Sequence, residues 1–250
     1  MSETEEAPNI VSVAELVEGM RIPFAMSVAS RRNTGKTYYI ERLIDALVVS
    51  GKIDTVLVMS PTLAVNNDYG FLPKALRQPY REETIVKLIA RQKKVPQEDR
   101  QNVLLVCDDV LSEKEAERSN MIKKLFVQGR HFAISIICSS QSANGFILTP
   151  TIKNNSDYLL FSRLNRQHLA LIYEGGVTNM DKKEFIKYAE TNNREWVFLC
   201  IDNTSQSTDP AEFIILTKAI KNEKPKKSHR RIYDASSSAE EEDRLSDDNP

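Results

Sequence analysis

Five short runs of apolar residues are spaced along the chain, and they cover residues 24–28, 55–59, 103–107, 133–138 and 158–161. Each run is continuous rather than interrupted by alternating polar residues. A strand that is covered on both faces has few polar positions, and strands of this kind are typical of parallel sheets. We therefore predict that these runs form the core strands of a mostly parallel sheet.

Segments with helical periodicity lie between the apolar runs. After the first run, apolar residues predict a helix that ends near Gly51: Ile40, Leu43, Ile44, Leu47 and Val48. Further helices are predicted over residues 82–94, 112–128, 167–173 and 182–189. In the helix over residues 112–128, Ser112 and Glu115 have the spacing of a capping box. Strands that alternate with helices predict an α/β fold with helices on both faces of the sheet.

Two late apolar segments predict a further pair of strands. They cover residues 196–202 and 213–216, and a loop over residues 203–210 joins them. Strands that follow one another through a loop commonly pair side by side. We therefore expect a hairpin-like pair at an edge of the sheet.

The two ends of the chain differ in composition from its central part. Residues 1–20 are predicted to be an acidic, disordered lead with one short helix over residues 13–17, and residues 21–218 the folded domain. Residues 219–250 are predicted to be a disordered tail, because they lack the apolar content that a core requires. A basic block precedes an acidic block in this tail: Lys221, Lys224, Lys226, Lys227, Arg230, Arg231, then Glu240, Glu241, Glu242, Asp243, Asp247 and Asp248.

The overall composition narrows the class of protein. In a chain of 250 residues, an apolar content of 41% is sufficient for one substantial globular domain. Cys107, Cys138 and Cys200 lie in apolar runs without C-x-x-C spacing, which predicts buried, reduced thiols in an intracellular protein. The N-terminus lacks an apolar signal segment and no run reaches membrane-spanning length. We therefore expect a soluble protein that is not secreted and has no membrane-spanning segment.

The charge gives no whole-chain signature of a nucleic-acid-binding protein, because the formal net charge is -1 at pH 7. Any nucleic acid must therefore be bound locally. The basic block of the tail is equally compatible with nucleic-acid binding, a nuclear address or a solubilising tail. Arg91, Lys93 and Lys94 in the helix over residues 82–94 offer contacts to a phosphate backbone, although a solvated helix face is the favoured explanation.

The loop after the first predicted strand carries the first candidate chemistry. It matches the phosphate-binding pattern G-x-x-x-x-G-K-[ST] except at the first position: Ser30, Arg31, Arg32, Asn33, Thr34, Gly35, Lys36 and Thr37. The backbone N–H groups of such a loop and the N-terminus of the helix after it bind a polyphosphate. Lys36 is expected to reach the β- and γ-phosphates of ATP, and Thr37 to ligate Mg²⁺.

Ser30 occupies the position at which the pattern has its first glycine. A serine is strained wherever the backbone requires a positive φ, so strain is expected at Ser30. The alternative interpretation of the whole loop is a glycine-containing turn that joins a strand to a helix without binding a nucleotide.

Asp108 and Asp109 directly follow the third apolar run. This is the Walker B pattern, in which a buried strand carries carboxylates to the sheet edge where the phosphate loop also lies. Asp108 is expected to bind Mg²⁺, directly or through water, and Asp109 to hold the attacking water as base or orienting group. The alternative is that the two acids serve only as helix caps.

Gln141 comes shortly after the fourth apolar run. If this strand lies between the strands that carry the phosphate loop and the aspartates, Gln141 sits between those two motifs. Gln141 is then a sensor of the γ-phosphate or of the attacking water. In the alternative, Gln141 only begins a loop.

The order of these motifs is that of the additional-strand P-loop ATPases, which include RecA-like motors and helicases. A narrower resemblance rests on Gly129-Arg130-His131 leading through the apolar run into Ser140-Gln141, then a proline and residues 154–159. This stretch resembles the genome-packaging ATPases of poxviruses and other large double-stranded DNA viruses, with relatives in virophages and Maverick or Polinton elements. These enzymes belong to the FtsK-HerA superfamily, and the resemblance covers residues 22–216.

The resemblance implies a RecA-like P-loop NTPase fold and an ATP-driven pump. Such pumps are homo-oligomeric rings of five or six subunits that drive double-stranded DNA into a preformed capsid, with ATP and Mg²⁺ as cofactors. Capsid or portal-vertex proteins are the implied partners, and the implied location is the viral assembly site of an infected host cell and the virion. Asp109 stands where the superfamily often has glutamate. A shorter acid must approach closer to orient the water, so this departure bears on the rate of hydrolysis more than on nucleotide binding.

Ring ATPases place an arginine of one subunit against the γ-phosphate bound by its neighbour. Arg130 is the first candidate, because it leads into the strand that carries Gln141. Arg163 and Arg166, which follow the fifth predicted strand, are alternatives. Arg31 and Arg32 lie within the phosphate loop and would act in cis, on the nucleotide bound by their own subunit. For each of these residues, an exposed salt bridge is the competing explanation.

Other functions remain compatible with the same motifs. A helicase or a recombination ATPase shares the phosphate loop and the paired acids. A nucleotide-gated scaffold with little hydrolysis is suggested by Ser30, and a phosphotransferase is a weaker option.

Overall fold

The computed structural model describes residues 9–66, 68–110, 116, 118–141, 149–174 and 180–219. These residues form a nine-stranded, mostly parallel sheet. The strands are β1 Ile10–Ser12, β2 Ala25–Ser30, β3 Thr55–Met59, β4 Arg77–Gln78, β5 Val103–Cys107, β6 Ile134–Ser140, β7 Tyr158–Ser162, β8 Val197–Asp202 and β9 Ile214–Lys218. Their order across the sheet is β1-β9-β8-β7-β2-β6-β5-β3-β4. Among the described strands, β8 alone runs antiparallel to its neighbours.

Helices connect these strands. The α-helices are α1 Val13–Gly19, α2 Lys36–Val49, α3 Leu63–Asn66, α4 Glu82–Lys94, α5 Asn120–Gln128, α6 Pro150–Lys153, α7 Arg166–Tyr173, α8 Lys182–Thr191 and α9 Pro210–Phe213. Short 3₁₀ turns lie at Lys74–Leu76, Gln97–Asp99 and Gly129–Phe132. Side-chain caps fix several helix starts: Ser12 and Glu15 form a capping box for α1, and Ser119 accepts the N–H groups of Met121 and Ile122 for α5.

The core lies on both faces of the sheet, because successive residues of a strand point to opposite faces. In β5, Leu104 and Val106 pack with buried residues of α1 and α2 on one face. Leu105 and Cys107 pack with α4 and α5 on the other face. The continuous apolar runs of the sequence therefore correspond to strands covered on both sides, as predicted.

The N-terminal part of the fold begins earlier than the predicted boundary at residue 21. Strand β1 pairs in parallel with β9, so residues 10–12 belong to the sheet rather than to a disordered lead. Helix α1 is longer than the helix predicted over residues 13–17. Lys52, just after α2, donates to the carbonyl oxygens of Val17, Glu18 and Met20 at 2.8, 2.9 and 2.7 Å. This cation also complements the partial negative charge at the end of α1.

The late pair of strands is antiparallel, as the hairpin-like prediction requires, because β8 pairs with β9. The prediction that this pair forms an edge of the sheet is wrong. Strand β1 covers β9 on its outer side, so β1 is the edge on this side. A three-residue strand carries too little periodicity to be recognised in a sequence.

Several predictions fall on residues outside the described part of the chain. These are the capping box of Ser112 and Glu115 and the tail over residues 220–250. Within the described part, Cys107, Cys138 and Cys200 are buried free thiols, as predicted. None of the helices that the structure describes has the length and apolar character needed to cross a membrane.

Candidate functional site

Strand β6 lies between β2 and β5, and this arrangement decides where the motifs meet. Ser27 of β2 is paired with Cys138 of β6, and Cys138 is paired in turn with Cys107 of β5. All three strands are parallel, so the segments that follow them emerge at one edge of the sheet. The condition under which Gln141 was predicted to sit between the phosphate loop and the two aspartates is therefore met.

The phosphate loop leaves β2 without strain at Ser30. Ser30 is fully buried, belongs to β2, and is paired with Ser162 of β7. The left-handed backbone conformations of the loop occur instead at Asn33, with φ 59°, and at Gly35, with φ 85°. The expectation that serine is strained at the first position of the motif is therefore wrong, because strand geometry accommodates any residue.

Hydroxyl groups close the base of the loop. Thr34 Oγ1 donates to the carbonyl oxygen of Arg31 at 2.7 Å, and it is also hydrogen-bonded to Ser30 Oγ. Since the threonine has one hydroxyl proton, the serine is the donor to the threonine. Ser30 thus supplies a hydrogen bond that a glycine at this position cannot make.

Both the backbone conformation and the neighbouring side chains require glycine at position 35. Its φ of 85° favours glycine, and a Cβ built on it would lie 2.4 Å from Cζ3 of Trp196. Trp196 precedes β8, and the antiparallel direction of β8 brings its first residues to the edge that holds the phosphate loop. No role at the site was predicted for Trp196 from the sequence.

Lys36 is the first residue of α2, and its buried ammonium lies between the two aspartates. Its Nζ forms an ion pair with Asp109 Oδ1 and is 3.7 Å from Asp108 Oδ1. A buried cation requires such a partner, because leaving the charge unpaired is costly. In this structure the lysine that is predicted to bind phosphate is therefore neutralised by carboxylate.

Asp108 is only 2% exposed and is fixed by three hydroxyl donors. Its Oδ2 accepts from Thr37 Oγ1 at 3.0 Å and from Tyr69 at 2.8 Å, and its Oδ1 accepts from Ser139 Oγ. These hydrogen bonds hold both oxygens of the carboxylate in place. Burial, followed by the proximity of Asp108, raises the pKa of Tyr69, so its hydroxyl remains a donor.

Tyr69 and Ser139 were not predicted from the sequence. Residues 66–70 read as a polar loop, and the signal within it was a single aromatic residue among polar ones. Ser139 follows Cys138, which is paired with Cys107, so in-register strands place Ser139 beside Asp108. The contact of Ser139 with Asp108 could have been predicted from the register of the two strands. The contact of Tyr69 with Asp108 depends on the path of the loop and could not.

Asp109 adopts a left-handed backbone conformation, with φ 55°, directly after the strand-end residue Asp108. Its N–H group donates to Ser139 Oγ at 3.1 Å, and its Oδ2 accepts from Gln141 Nε2 at 3.1 Å. Gln141 Oε1 accepts in turn from Arg32 Nε at 2.5 Å. A chain of contacts thus runs from the phosphate loop through Gln141 to Asp109 and back to Lys36.

A cavity of about 390 Å³ lies at this edge of the sheet. Its lining contains both cationic and anionic side chains: Arg31, Arg32, Asn33, Gly35, Lys36, Thr37, Tyr38, Thr62, Asp68, Asp109 and Gln141. The cavity therefore joins the phosphate loop to the second aspartate and to the predicted sensor.

A further carboxylate, that of Glu41, contacts the segment that carries Tyr69. Glu41 of α2 accepts the backbone N–H of Tyr69 through Oε1 at 2.7 Å. Burial raises the pKa of Glu41, and the nearby Asp68 and Asp108 add to this effect, whereas the Tyr69 hydrogen bond and Arg42 oppose it. Negative charge is thus concentrated around the Tyr69 segment.

The donor set at Thr37 and Asp108 suits a hard divalent cation. A hydroxyl and a carboxylate oxygen of these residues lie 3.0 Å apart. In the described residues, no group of three or more histidine, cysteine, aspartate or glutamate side chains is placed to hold a metal ion. Mg²⁺ commonly takes only one or two protein ligands and completes its shell with water and phosphate oxygens, so these two residues fit it.

The candidate arginines lie at opposite edges of the sheet. Arg130 belongs to the turn that precedes β6, so it lies at the amino ends of the parallel strands, away from the cavity. The structure therefore does not bring Arg130 to the site of its own chain. Arg163 and Arg166 follow β7 and lie at the same edge as the phosphate loop, where Arg166 forms an exposed ion pair with Glu190.

The sheet order, the phosphate loop after β2, the paired aspartates after β5 and the polar residue after the intervening β6 define a RecA-like P-loop NTPase. The chain belongs to the Poxvirus A32 protein family, whose model matches residues 17–146. This membership confirms the resemblance to the packaging ATPases of poxviruses and other large DNA viruses.

A relative from Invertebrate iridescent virus 6, Uncharacterized protein 075L, is 30% identical over 185 residues, which are 72% of this chain and 70% of that protein. The genome packaging NTPase B204 from Sulfolobus turreted icosahedral virus 2, in complex with AMPPCP, is similar with a TM-score of 0.57 and 17% identity over 80% of this chain and 100% of that chain. The pCW3 conjugation coupling protein TcpA gives a TM-score of 0.56 and 12% identity, over 86% of this chain and 65% of that chain. At these identities, the two structures support the fold.

Proposed function

We propose that this chain is the ATPase of a motor that drives double-stranded DNA into a preformed viral capsid. Membership of the Poxvirus A32 protein family and the likeness to a genome packaging NTPase support a packaging role. The observation that carries the proposal is the gathering of Lys36, Asp109 and Gln141 around one cavity, with Asp108 Oδ1 3.7 Å from the Lys36 ammonium.

Binding of a nucleoside triphosphate begins with an exchange of partners at Lys36. The lysine is paired with Asp109, and the γ-phosphate offers it a more highly charged oxygen partner. The N–H groups at the start of α2 face the same position and add the positive end of the helix dipole. Lys36 therefore moves from the carboxylate to the phosphate, and Asp109 loses its cationic neighbour.

Thr37 and Asp108 would hold Mg²⁺, which supplies neutralisation of the charge that develops on the phosphates. The contribution of the chain is to present these oxygen atoms in a fixed arrangement. Tyr69 and Ser139 each donate to Asp108, so the carboxylate is oriented before a ligand arrives. Pre-oriented groups lower the cost of assembling the site.

Asp109 and Gln141 act on the attacking water. With Lys36 on the phosphate, Oδ1 of Asp109 becomes available to accept a proton from water, while Gln141 continues to hold Oδ2. The left-handed backbone at Asp109 points its carboxylate back toward the loop despite its shorter side chain. Asp109 is thus the general base or orienting group of hydrolysis.

The motor is proposed to be a homo-oligomeric ring of five or six copies. Arg163 and Arg166 lie at the edge of the phosphate loop and are better placed than Arg130 to reach a neighbouring site at that edge. Capsid or portal-vertex proteins complete the machine at the assembly site of an infected cell, and the chain is carried into the virion.

The scaffold alternative loses its main support, because Ser30 is unstrained and contributes a hydrogen bond to the loop. A helicase or recombination ATPase remains the second candidate from the same fold class. Strand-displacement assays on duplex DNA separate the two, since a packaging pump moves along a duplex without unwinding it.

The deciding experiment is steady-state ATP hydrolysis with and without duplex DNA. Wild-type protein is expected to be stimulated by DNA, Lys36→Ala to lose nucleotide binding, and Asp109→Asn to lose turnover while retaining binding. Lys187→Ala, an exposed lysine of α8, is the matched control and is expected to behave like wild type. Nucleotide binding without turnover in all conditions, or turnover that both active-site substitutions leave intact, contradicts the proposal.

A further inference from the structure

Two aromatic side chains lie against the phosphate loop. The rings of Tyr38 and Trp196 meet edge-on, with centroids 6.3 Å apart and an interplanar angle of 83°. Trp196 also touches the loop, since the position of a Cβ on Gly35 is 2.4 Å from its ring. Both side chains are partly exposed, so they present aromatic surface next to the phosphate site.

The order of the strands shows which end of a nucleotide this surface faces. Asp109 and Gln141 follow β5 and β6, which lie on one side of β2. Trp196 precedes β8, which lies two strands away on the other side of β2. A triphosphate whose terminal phosphate faces Asp109 therefore extends its nucleoside end toward Trp196.

Tyr38 is held in place before any ligand arrives. It lies in the first turn of α2, directly after Thr37, and lines the cavity. The guanidinium carbon of Arg42, one turn further along the helix, lies 5.4 Å from the centroid of the Tyr38 ring. A cation over one face and Trp196 at the edge fix the ring, and little ordering cost remains on binding.

We propose that Tyr38 and Trp196 form the nucleobase subsite of this chain, in which a heteroaromatic base stacks on their exposed surface. The proposal rests on the proposed function, because it requires a nucleoside triphosphate at the phosphate loop. The phosphate loop then binds the polyphosphate and the aromatic pair binds the base. This division predicts that the two contributions to affinity can be separated by substitution.

The test compares ATP with inorganic tripolyphosphate, which lacks the base and the ribose. Dissociation constants of both are measured by calorimetry, in the presence of Mg²⁺, for wild type, Tyr38→Ala, Trp196→Ala and the conservative Tyr38→Phe and Trp196→Phe. Base stacking on an aromatic side chain contributes to affinity, so each alanine variant is expected to weaken ATP binding about tenfold. Tripolyphosphate affinity is expected to stay within about twofold, and the phenylalanine variants to resemble wild type.

Trp196 provides an independent signal, because it is the only tryptophan of the sequence. Its fluorescence is expected to change more on addition of ATP than on addition of tripolyphosphate. Equal weakening of both ligands in the alanine variants overturns the subsite, because it assigns the rings to shaping the loop. Unchanged ATP affinity also overturns it. Wild-type protein that binds neither ligand overturns the proposed function, and the subsite with it, which distinguishes the two failures.

Discussion

Lys36 and Asp109 are joined in an ion pair, so the cation proposed to bind phosphate and the carboxylate proposed to activate water neutralise each other. The ion pair keeps the site from presenting an isolated buried cation. In the proposed mechanism, the two charges separate when a triphosphate binds to the lysine.

Replacement of Asp109 by asparagine is expected to separate binding from turnover. The variant lacks the carboxylate that competes for Lys36 and repels phosphate, so ATP binds several-fold more tightly. Hydrolysis falls by about 10²- to 10⁴-fold, which is the usual contribution of a general base. Dissociation constants and steady-state rates measure both effects. Asp99→Asn, at an exposed position, is the control, and weaker ATP binding by Asp109→Asn would refute the competition at Lys36.

Removal of the Tyr69 hydroxyl is expected to loosen Asp108. Tyr69→Phe loses the 2.8 Å hydrogen bond to a buried carboxylate, so the free energy of unfolding falls by about 1–3 kcal/mol. The concentration of Mg²⁺ required for half-maximal activity rises several-fold, because Asp108 is less well oriented. Urea denaturation and Mg²⁺ titration measure the two effects.

A matched control for Tyr69→Phe is Tyr173→Phe. Tyr173 donates its hydroxyl to the carbonyl oxygen of Met180 at 2.7 Å, away from the cavity. This variant is expected to lose stability without any change in the Mg²⁺ requirement. An equal Mg²⁺ requirement in Tyr69→Phe and wild type would show that Tyr69 only stabilises the fold.

Gly35 and Gly51 allow backbone strain to be separated from steric conflict. Both have positive φ, 85° and 69°, but only Gly35 faces a ring, since nothing lies within 4 Å of a Cβ on Gly51. Gly51→Ala is expected to cost about 1–2 kcal/mol from the left-handed backbone alone. Gly35→Ala is expected to cost about 1–3 kcal/mol more, as overpacking adds to the strain. Chemical denaturation measures both, and equal costs would mean that Trp196 moves aside freely.

Glu41 is expected to make stability depend on pH in an unusual direction. Burial raises its pKa in the folded protein above the ordinary value of a glutamate, so the folded state binds its proton more tightly than the unfolded state. Its contribution to stability is therefore greatest below the unfolded pKa and declines as the pH rises through the folded pKa.

Glu41→Gln tests this direction, because glutamine retains the oxygen that accepts the Tyr69 N–H group. The free energy of unfolding of the variant minus that of wild type is expected to increase as the pH rises above the ordinary pKa of a glutamate, because the wild-type carboxyl then ionises. Urea denaturation at several pH values measures this difference. A difference for Glu41→Gln that does not change with pH would contradict the raised pKa of Glu41.

The site residues that form motifs of consecutive residues could be predicted from the sequence. The bounds of β3 and β5 agree with the predicted runs, and the phosphate loop and paired aspartates lie where strand–loop order places them. The position of Gln141 at the site could be predicted only on the condition that its strand lies between the other two. The order of the strands cannot be read from the sequence of any one strand. The structure meets that condition.

Contacts made across the fold were not predictable in the same way. Tyr69 reaches Asp108 from a loop, and Trp196 reaches Gly35 because β8 runs antiparallel to β7. Arg130 precedes the strand that carries Gln141, so it lies at the edge opposite to the residues that follow the parallel strands. Its role toward a neighbouring subunit stays a prediction. Only the direction of the strand, and not the distance along the chain, decides which edge a residue occupies.

Strand β1 has a practical consequence for any shortened form of this protein. A chain that starts at residue 21 leaves the backbone groups of β9 that β1 occupies without partners, and it removes the carbonyl groups that Lys52 binds. An uncovered strand of this kind is a template on which a second molecule adds its own strand. Such a truncated protein is expected to aggregate, so residues 9–20 belong in every version prepared for assembly studies.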